Sequence, residues 1–277
     1  MADIRQNGEQ MDINKLLFDE NEKPLESLCN DGGFVGIFRT IACVGDSLSS
    51  GEFQAMAHDG VTNLYFDRFD YSWGQYMARM AGCTVYNFSK GGMTAKDYMS
   101  SFANSCGYWR RELAANAYII ALGVNDLLNR KWEIGTKDDV CLEDYKKNAE
   151  TYAGYYAAVI QRYKTISPDA RFFLVTIPRS VNHDGERNTM ADKQRELMYD
   201  FAKMFSNTYV VDLREYAPVY DDDFRAKFFL SGHMSPTGYL LTAKFITSYI
   251  DYIIRHNMRD FRDVGLMGYD YDRNSVK

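Results

Sequence analysis

Five short apolar runs, each closed by glycine, proline or a polar cluster, recur along the chain at 40–44, 83–88, 117–122, 171–177 and 209–213. Between them the apolar positions shift to helical spacing. Residues 71–80 place Trp73, Tyr76, Met77 and Met80 on one side before Gly82 stops the pattern. Further helical stretches are expected from Ala95, over about 142–164 as the longest, over 189–205 and over 236–255, where Pro236 suits a first helical turn. Strands that are apolar throughout and alternate with helices predict an α/β fold with a parallel sheet covered on both faces.

The remaining segments read as connections. Asn30 to Gly33 form a turn cluster, and 34–38 is expected to add a short strand. Residues 51–70, polar and aromatic, read as a loop over the carboxyl edge of the sheet, with His58 a solvated loop residue. Residues 221–223 read as part of a polar loop leading to His233, and 257–277 as a polar tail. With no linker, repeat or low-complexity stretch, the organisation expected is an extension over 1–38, one domain over 39–256 and a tail over 257–277.

Composition narrows the class. Of 277 residues, 46% are hydrophobic and 25% charged, values of a globular chain with a sizeable core. A net charge of −6 and the absence of a basic patch argue against nucleic acid as a partner. The charged N-terminus lacks a signal-like apolar core, and no apolar run is long enough to span a bilayer; no membrane partner and a cytoplasmic location are expected. The aromatic share of 15% fits core and half-buried rings, with a stacking surface for sugars the alternative. Five scattered cysteines show no metal-ligand spacing, so neither a disulfide framework nor a metal is expected, and Cys43 and Cys83 should act as small buried hydrophobes.

The chemistry centres on IACVGDSLSS at 41–50, an apolar strand that breaks at Gly45 and presents Asp46 and Ser47 at its carboxyl end. Open α/β sheets bind ligands at that edge. A serine there is only suggestive, since such turns also cap helices. Gly92 after the second strand, Asn125 after the third and His233 before the last helix are carried to the same edge.

These residues sit in four ordered segments, GDSL at 45–48, NFSKGGMT at 87–94, GVND at 123–126 and GHMSPTGY at 232–239, and in them the chain resembles the GDSL or SGNH hydrolase family. The resemblance implies a three-layer α/β/α sandwich with a flavodoxin-like, five-stranded parallel sheet. It implies Ser47 as nucleophile, His233 as general base, and an oxyanion hole of the Ser47 and Gly92 backbone amides with the Asn125 side chain. Acyl transfer requires such parts: a hydroxyl needs a base, and the tetrahedral oxygen needs preset donors. Gly91 beside Gly92 is the competing turn glycine, and the match favours Gly92. No cofactor is implied.

One departure stands out. The family's aspartate three residues before the histidine is replaced by Leu230. The ring of His233 must then be oriented by another group: a carbonyl of Leu230 or Ser231, which is preferred here, or a carboxylate among Asp221, Asp222 and Asp223. Asp212 reads as structural. The expected activity is that of a serine esterase on a small-molecule ester, an acetylated carbohydrate being one case. An acyltransferase using the same site and a non-catalytic binding protein on the same scaffold are the alternatives. The sequence leaves the oligomeric state unknown.

Overall fold

The computed structural model describes residues 12–272 and Ser275. Strands β1 (Thr40–Gly45), β4 (Thr84–Ser89), β5 (Ala117–Ala121), β6 (Arg171–Val175) and β7 (Thr208–Val211) form one sheet in the order β4-β1-β5-β6-β7. Every pairing in it is parallel. Numbered within the sheet alone, the order is 2-1-3-4-5, the flavodoxin-like arrangement. Strands β2 (Glu52–Met56) and β3 (Asn63–Asp67) form a separate antiparallel hairpin.

Because side chains alternate across a strand, each sheet strand feeds two cores. Ala42, Val44, Tyr118, Ile120, Phe172 and Leu174 point to one face. That face is covered by the helical run α4 (Ala95–Asp97) through α5 (Ala103–Ser105), by α6 (Tyr152–Ile166) and by α7 (Gly185–Met204). Ile41, Cys43, Ile119, Phe173, Val175 and Val211 point to the other face, under α3 (Trp73–Ala81) and α10 (Pro236–His256). Much of the aromatic content is core: Tyr98, Tyr118, Tyr152, Tyr156, Tyr163 and Tyr239 are fully buried. Buried hydroxyls need partners. Tyr98 and Tyr163 share one hydrogen bond of 2.6 Å, while Tyr156 and Tyr152 donate to the carbonyls of Ile120 (3.1 Å) and Leu122 (2.9 Å).

Several sequence expectations shift. Residues 34–38 are not a strand: Gly33–Ile37 is a tight helical turn, with the Phe34 amide donating to Asp251 on α10. The helix expected over 142–164 begins only at Tyr152, capped by the Thr151 hydroxyl. Upstream, Asn148 bonds Cys141, Gly154 and Gln161, which holds that stretch in loop form. The polar triplet 221–223 opens a helix, α9 (Asp222–Phe228), with Asp221 as its cap. The tail is not wholly polar surface: within α11 (Met258–Phe261), Phe261 is buried and stacks on Phe173 and Tyr209. Short helices α1 (Ile13–Leu17), α2 (Ser47–Ser50) and α8 (Leu213–Tyr216) complete the set. Cys43 is fully buried, whereas Cys83 is only half-buried. Among the described residues, no helix is long and apolar enough to cross a membrane.

The N-terminal segment is fastened to α10 by Arg255. Its guanidinium reaches both carboxylate oxygens of Glu22 (2.6 and 2.7 Å), Asp251 (2.7 Å) and the Leu17 carbonyl (2.7 Å). The hydrogen bond from Arg255 holds Glu22 below the usual carboxylate range. A carboxylate depressed in the fold contributes stability that is complete above its unfolded value and is lost as pH falls through the folded one. Arg255→Ala should therefore cost about 2 kcal/mol at neutral pH. In urea titrations, the gap from wild type should narrow as pH falls below 4.5, the ordinary value for Glu22.

Candidate active site

The sheet order reverses at β1, whose neighbours β4 and β5 lie on opposite sides, so three loops leave the sheet around one crevice. Ser47 is the first residue of α2, directly after β1. Asp46 caps that turn by accepting from the Leu48 amide at 3.1 Å. Burial pushes the Asp46 carboxyl up to about 6, against the lowering effect of the amide it accepts from.

The loop after β4 carries Gly91 and Gly92. Gly92 has φ +71° with open space where a side chain would project, so its backbone conformation is what selects glycine. Gly91 differs: a side chain there would collide with Oε2 of Glu52. After β5, Gly123 has φ +138°, and a side chain on it would press within 2.9 Å of the Tyr152 hydroxyl. A wide helical turn over Val124–Asn129 follows, closed by the Arg130 amide on the Asn125 carbonyl at 3.0 Å. Wide turns of this kind gather at functional sites. The cap position of this turn is Gly123, so Asn125 is not its cap.

The Asn125 side-chain amide ties the three loops together. It donates to the Met93 carbonyl at 3.2 Å and lies 3.4 Å from Asp46 Oδ2, while its oxygen accepts from Asn129 at 2.9 Å. Beneath it, Asp126 is fully buried and accepts from the Ala95 amide at 2.8 Å. Burial lifts this carboxyl to about 7, and its second oxygen has no hydrogen-bond partner.

His233 lies on a narrow turn between α9 and α10. The Leu230 amide donates to the His233 carbonyl at 2.8 Å, and Ser231 adopts φ +115°. Neither orienting group preferred from the sequence touches the ring. Its nitrogens meet two residues of β2: Nε2 lies 3.0 Å from Glu52 Oε1, and Nδ1 lies 3.3 Å from Gln54 Oε1. Tyr65 on β3 meets the ring edge-on at 6.0 Å. Of the acidic triplet, Asp221 caps α9 and Asp223 pairs with Lys227 at 2.6 Å. Burial draws His233 below its usual range, with Asp67 opposing, and burial together with Asp67 raises Glu52. At 3.0 Å the imidazole nitrogen and the carboxylate oxygen need one proton between them.

Segment 51–70, expected as a loop, is thus a hairpin, and it supplies two residues that the sequence reading passed over. The signal there was faint: 52–54 alternates polar and apolar side chains and Asp59-Gly60 marks a turn, but 63–67 does not alternate. No Ser47–His233 hydrogen bond is formed among the described residues. The same Glu52 carboxylate that touches His233 also rests against Gly91, so it bridges the histidine turn and the loop after β4.

The other histidines, and Asp212, fall outside this cluster. His58 is exposed at the hairpin turn, and His256 stacks on Phe18 and Tyr252 at the far end of α10. His183 lies in the loop after β6. Asp212 is structural, as expected, bonded to Arg195 (2.6 Å), Tyr199 (2.9 Å) and Thr176 (3.0 Å). Beside the site lies an apolar cavity of about 90 Å³ whose walls include Leu48, Trp73, Val124, Met234 and Ile246. Three of these immediately follow or precede Ser47, Asn125 and His233 in the chain.

Comparison with known proteins adds the lineage. A family two carbohydrate esterase from Clostridium thermocellum, solved with cellohexaose, superposes with a TM-score of 0.53 at 16% identity, over 86% of this chain and 66% of that one. A carbohydrate esterase family 2 enzyme from Corynascus thermopiles gives 0.51 at 16% identity, over 78% of this chain and 66% of that one. At these identities the likeness is one of fold. A search of curated proteins found no match. The family model of the GDSL-like lipases and acylhydrolases matches residues 43–241, a span holding Ser47, Gly92, Asn125 and His233, and the chain belongs to that family.

Proposed function

We propose that the protein is a serine esterase that removes a short acyl group, with an acetylated or similarly acylated carbohydrate as substrate class. The observation that carries this reading is the Asn125 amide, set between Asp46 beside Ser47 and the carbonyl of Met93 beside Gly92. It gathers the nucleophile turn and the candidate oxyanion donors at one edge.

In this reading the Ser47 hydroxyl attacks the ester carbonyl while its proton passes to His233 Nε2. The carbonyl electron pair moves onto oxygen, where the amides of Ser47 and Gly92 and the Asn125 side chain stabilise it. The intermediate collapses, the leaving alkoxide takes the proton from Nε2, and water repeats the sequence on the acyl-enzyme. For Asn125 to donate to the oxyanion, its long contact with Asp46 has to yield. The small apolar cavity beside the turn suits a short acyl chain, and the likeness to carbohydrate esterases supports a sugar ester.

Hydrolysis of p-nitrophenyl acetate tests the proposal. Ser47→Ala is expected to lose at least about 10³-fold in kcat. Equal turnover by wild type and variant would remove Ser47 from the mechanism, and no turnover by either on short acyl esters would favour a binding role. Asn125→Ala should lower kcat by about 10²-fold or more with a smaller change in KM. Because the base must be neutral, kcat/KM should rise with pH along an acid limb centred below 6.5, the ordinary histidine value, since burial lowers His233. A limb centred above 6.5 would contradict that assignment.

A further inference from the structure

We infer that the β2–β3 hairpin completes the reaction centre, and that Gln54 is the positioning residue for His233 in place of the missing aspartate. The inference rests on the esterase reading for its catalytic meaning, while the contact itself is geometric. The Oε1 atom of Gln54 accepts from the Gly232 amide at 3.0 Å, a donor that cannot accept in return, so that atom is the amide oxygen. Its Nε2 donates to Asn63 Oδ1 across the hairpin at 3.1 Å, which supports the same orientation. The oxygen facing His233 Nδ1 at 3.3 Å can therefore only accept a hydrogen bond from the ring. A ring that donates from Nδ1 leaves Nε2 as the basic nitrogen in its neutral form.

Glu52, on the same side of β2, occupies Nε2 at 3.0 Å. Proton transfer from Ser47 needs Nε2 free, so Glu52 and the serine hydroxyl use that nitrogen in turn. Gln54 keeps its hold on Nδ1 through the exchange and preserves the plane of the ring. The hairpin is itself anchored, by the Tyr239 hydroxyl on the Glu52 carbonyl (2.7 Å) and by the Ser50 hydroxyl on Asp67 (2.6 Å). The charged and titratable groups around the imidazole are Glu52 on β2, Asp67 and Tyr65 on β3, and Tyr239 on α10, with Asp46 beyond Glu52 and raised in part by its charge.

Replacing the amide oxygen by a carboxylate separates this role from a packing role. In Gln54→Glu, an added negative charge against Nδ1 should raise the His233 pKa by about one unit or more, read from the ring Cε1 proton in an NMR titration. No such shift would overturn the contact whether or not the protein hydrolyses esters. In the kinetic arm, Gln54→Ala should lower kcat by about 10-fold or more with KM within about twofold. Gln54→Glu should restore most of kcat, with its acid limb moved to higher pH by the amount seen in NMR. Wild-type kcat in Gln54→Ala, alongside an inactive Ser47→Ala, would sink the positioning role while leaving the esterase reading intact. If wild type lacks Ser47-dependent turnover, the esterase reading fails, and the NMR shift still decides the contact.

Discussion

The site depends on β1 being hydrogen-bonded along its length to strands on both sides, β4 and β5, with all three running the same way. Parallel pairing aligns their carboxyl ends, and the reversal of winding direction at β1 keeps the connecting helices from closing over them. Gly45 pairs with Ser89 on one side and Ala121 on the other, so the three strands finish level. Ser47, Gly92 and Asn125, spread over 79 positions of sequence, emerge within a few residues of that common edge. Hydrogen bonds such as that from Asn125 to the Met93 carbonyl then set their relative positions.

The tyrosines behind β5 serve the same end. Tyr152 and Tyr156 on α6 place their hydroxyls on the carbonyls of Leu122 and Ile120, so the helix layer holds the strand by polar contacts as well as by packing. The hydroxyl of Tyr152 also closes the space beside Gly123, where the chain turns toward Asn125. A sequence rich in aromatic residues thus spends many of them internally, on a support for the loop that carries the candidate oxyanion donor.

What the sequence revealed follows from where burial is strongest. The five sheet strands are rich in apolar residues because most of their side chains face a covered side of the sheet, and each was legible to within two residues at either end. The hairpin was not, because Met56, Leu64, Tyr65 and Phe66 are exposed and β3 carries no alternation of buried and solvated positions. Helix α9 was hidden by its own cap: three aspartates look like a loop until Asp221 is seen accepting from the Phe224 amide. Residues 142–151 carried a helical pattern, yet Asn148 satisfies backbone and side-chain groups in a way that favours a loop. Ser47, Gly92, Asn125 and His233 were legible from their motifs, whereas Glu52 and Gln54 meet His233 only through a tertiary contact across 179 positions or more.

The hairpin obeys a rule of parity. Glu52 and Gln54 face the imidazole because they are two residues apart on a strand, and Phe53 between them faces the opposite way, against Tyr71 and Tyr239. Inserting one residue between Gly51 and Glu52 would exchange those sides, burying two polar side chains among rings and turning a phenyl group toward the histidine. Length in this short connection is therefore as constrained as residue identity, although none of its residues belongs to the motifs that mark the family.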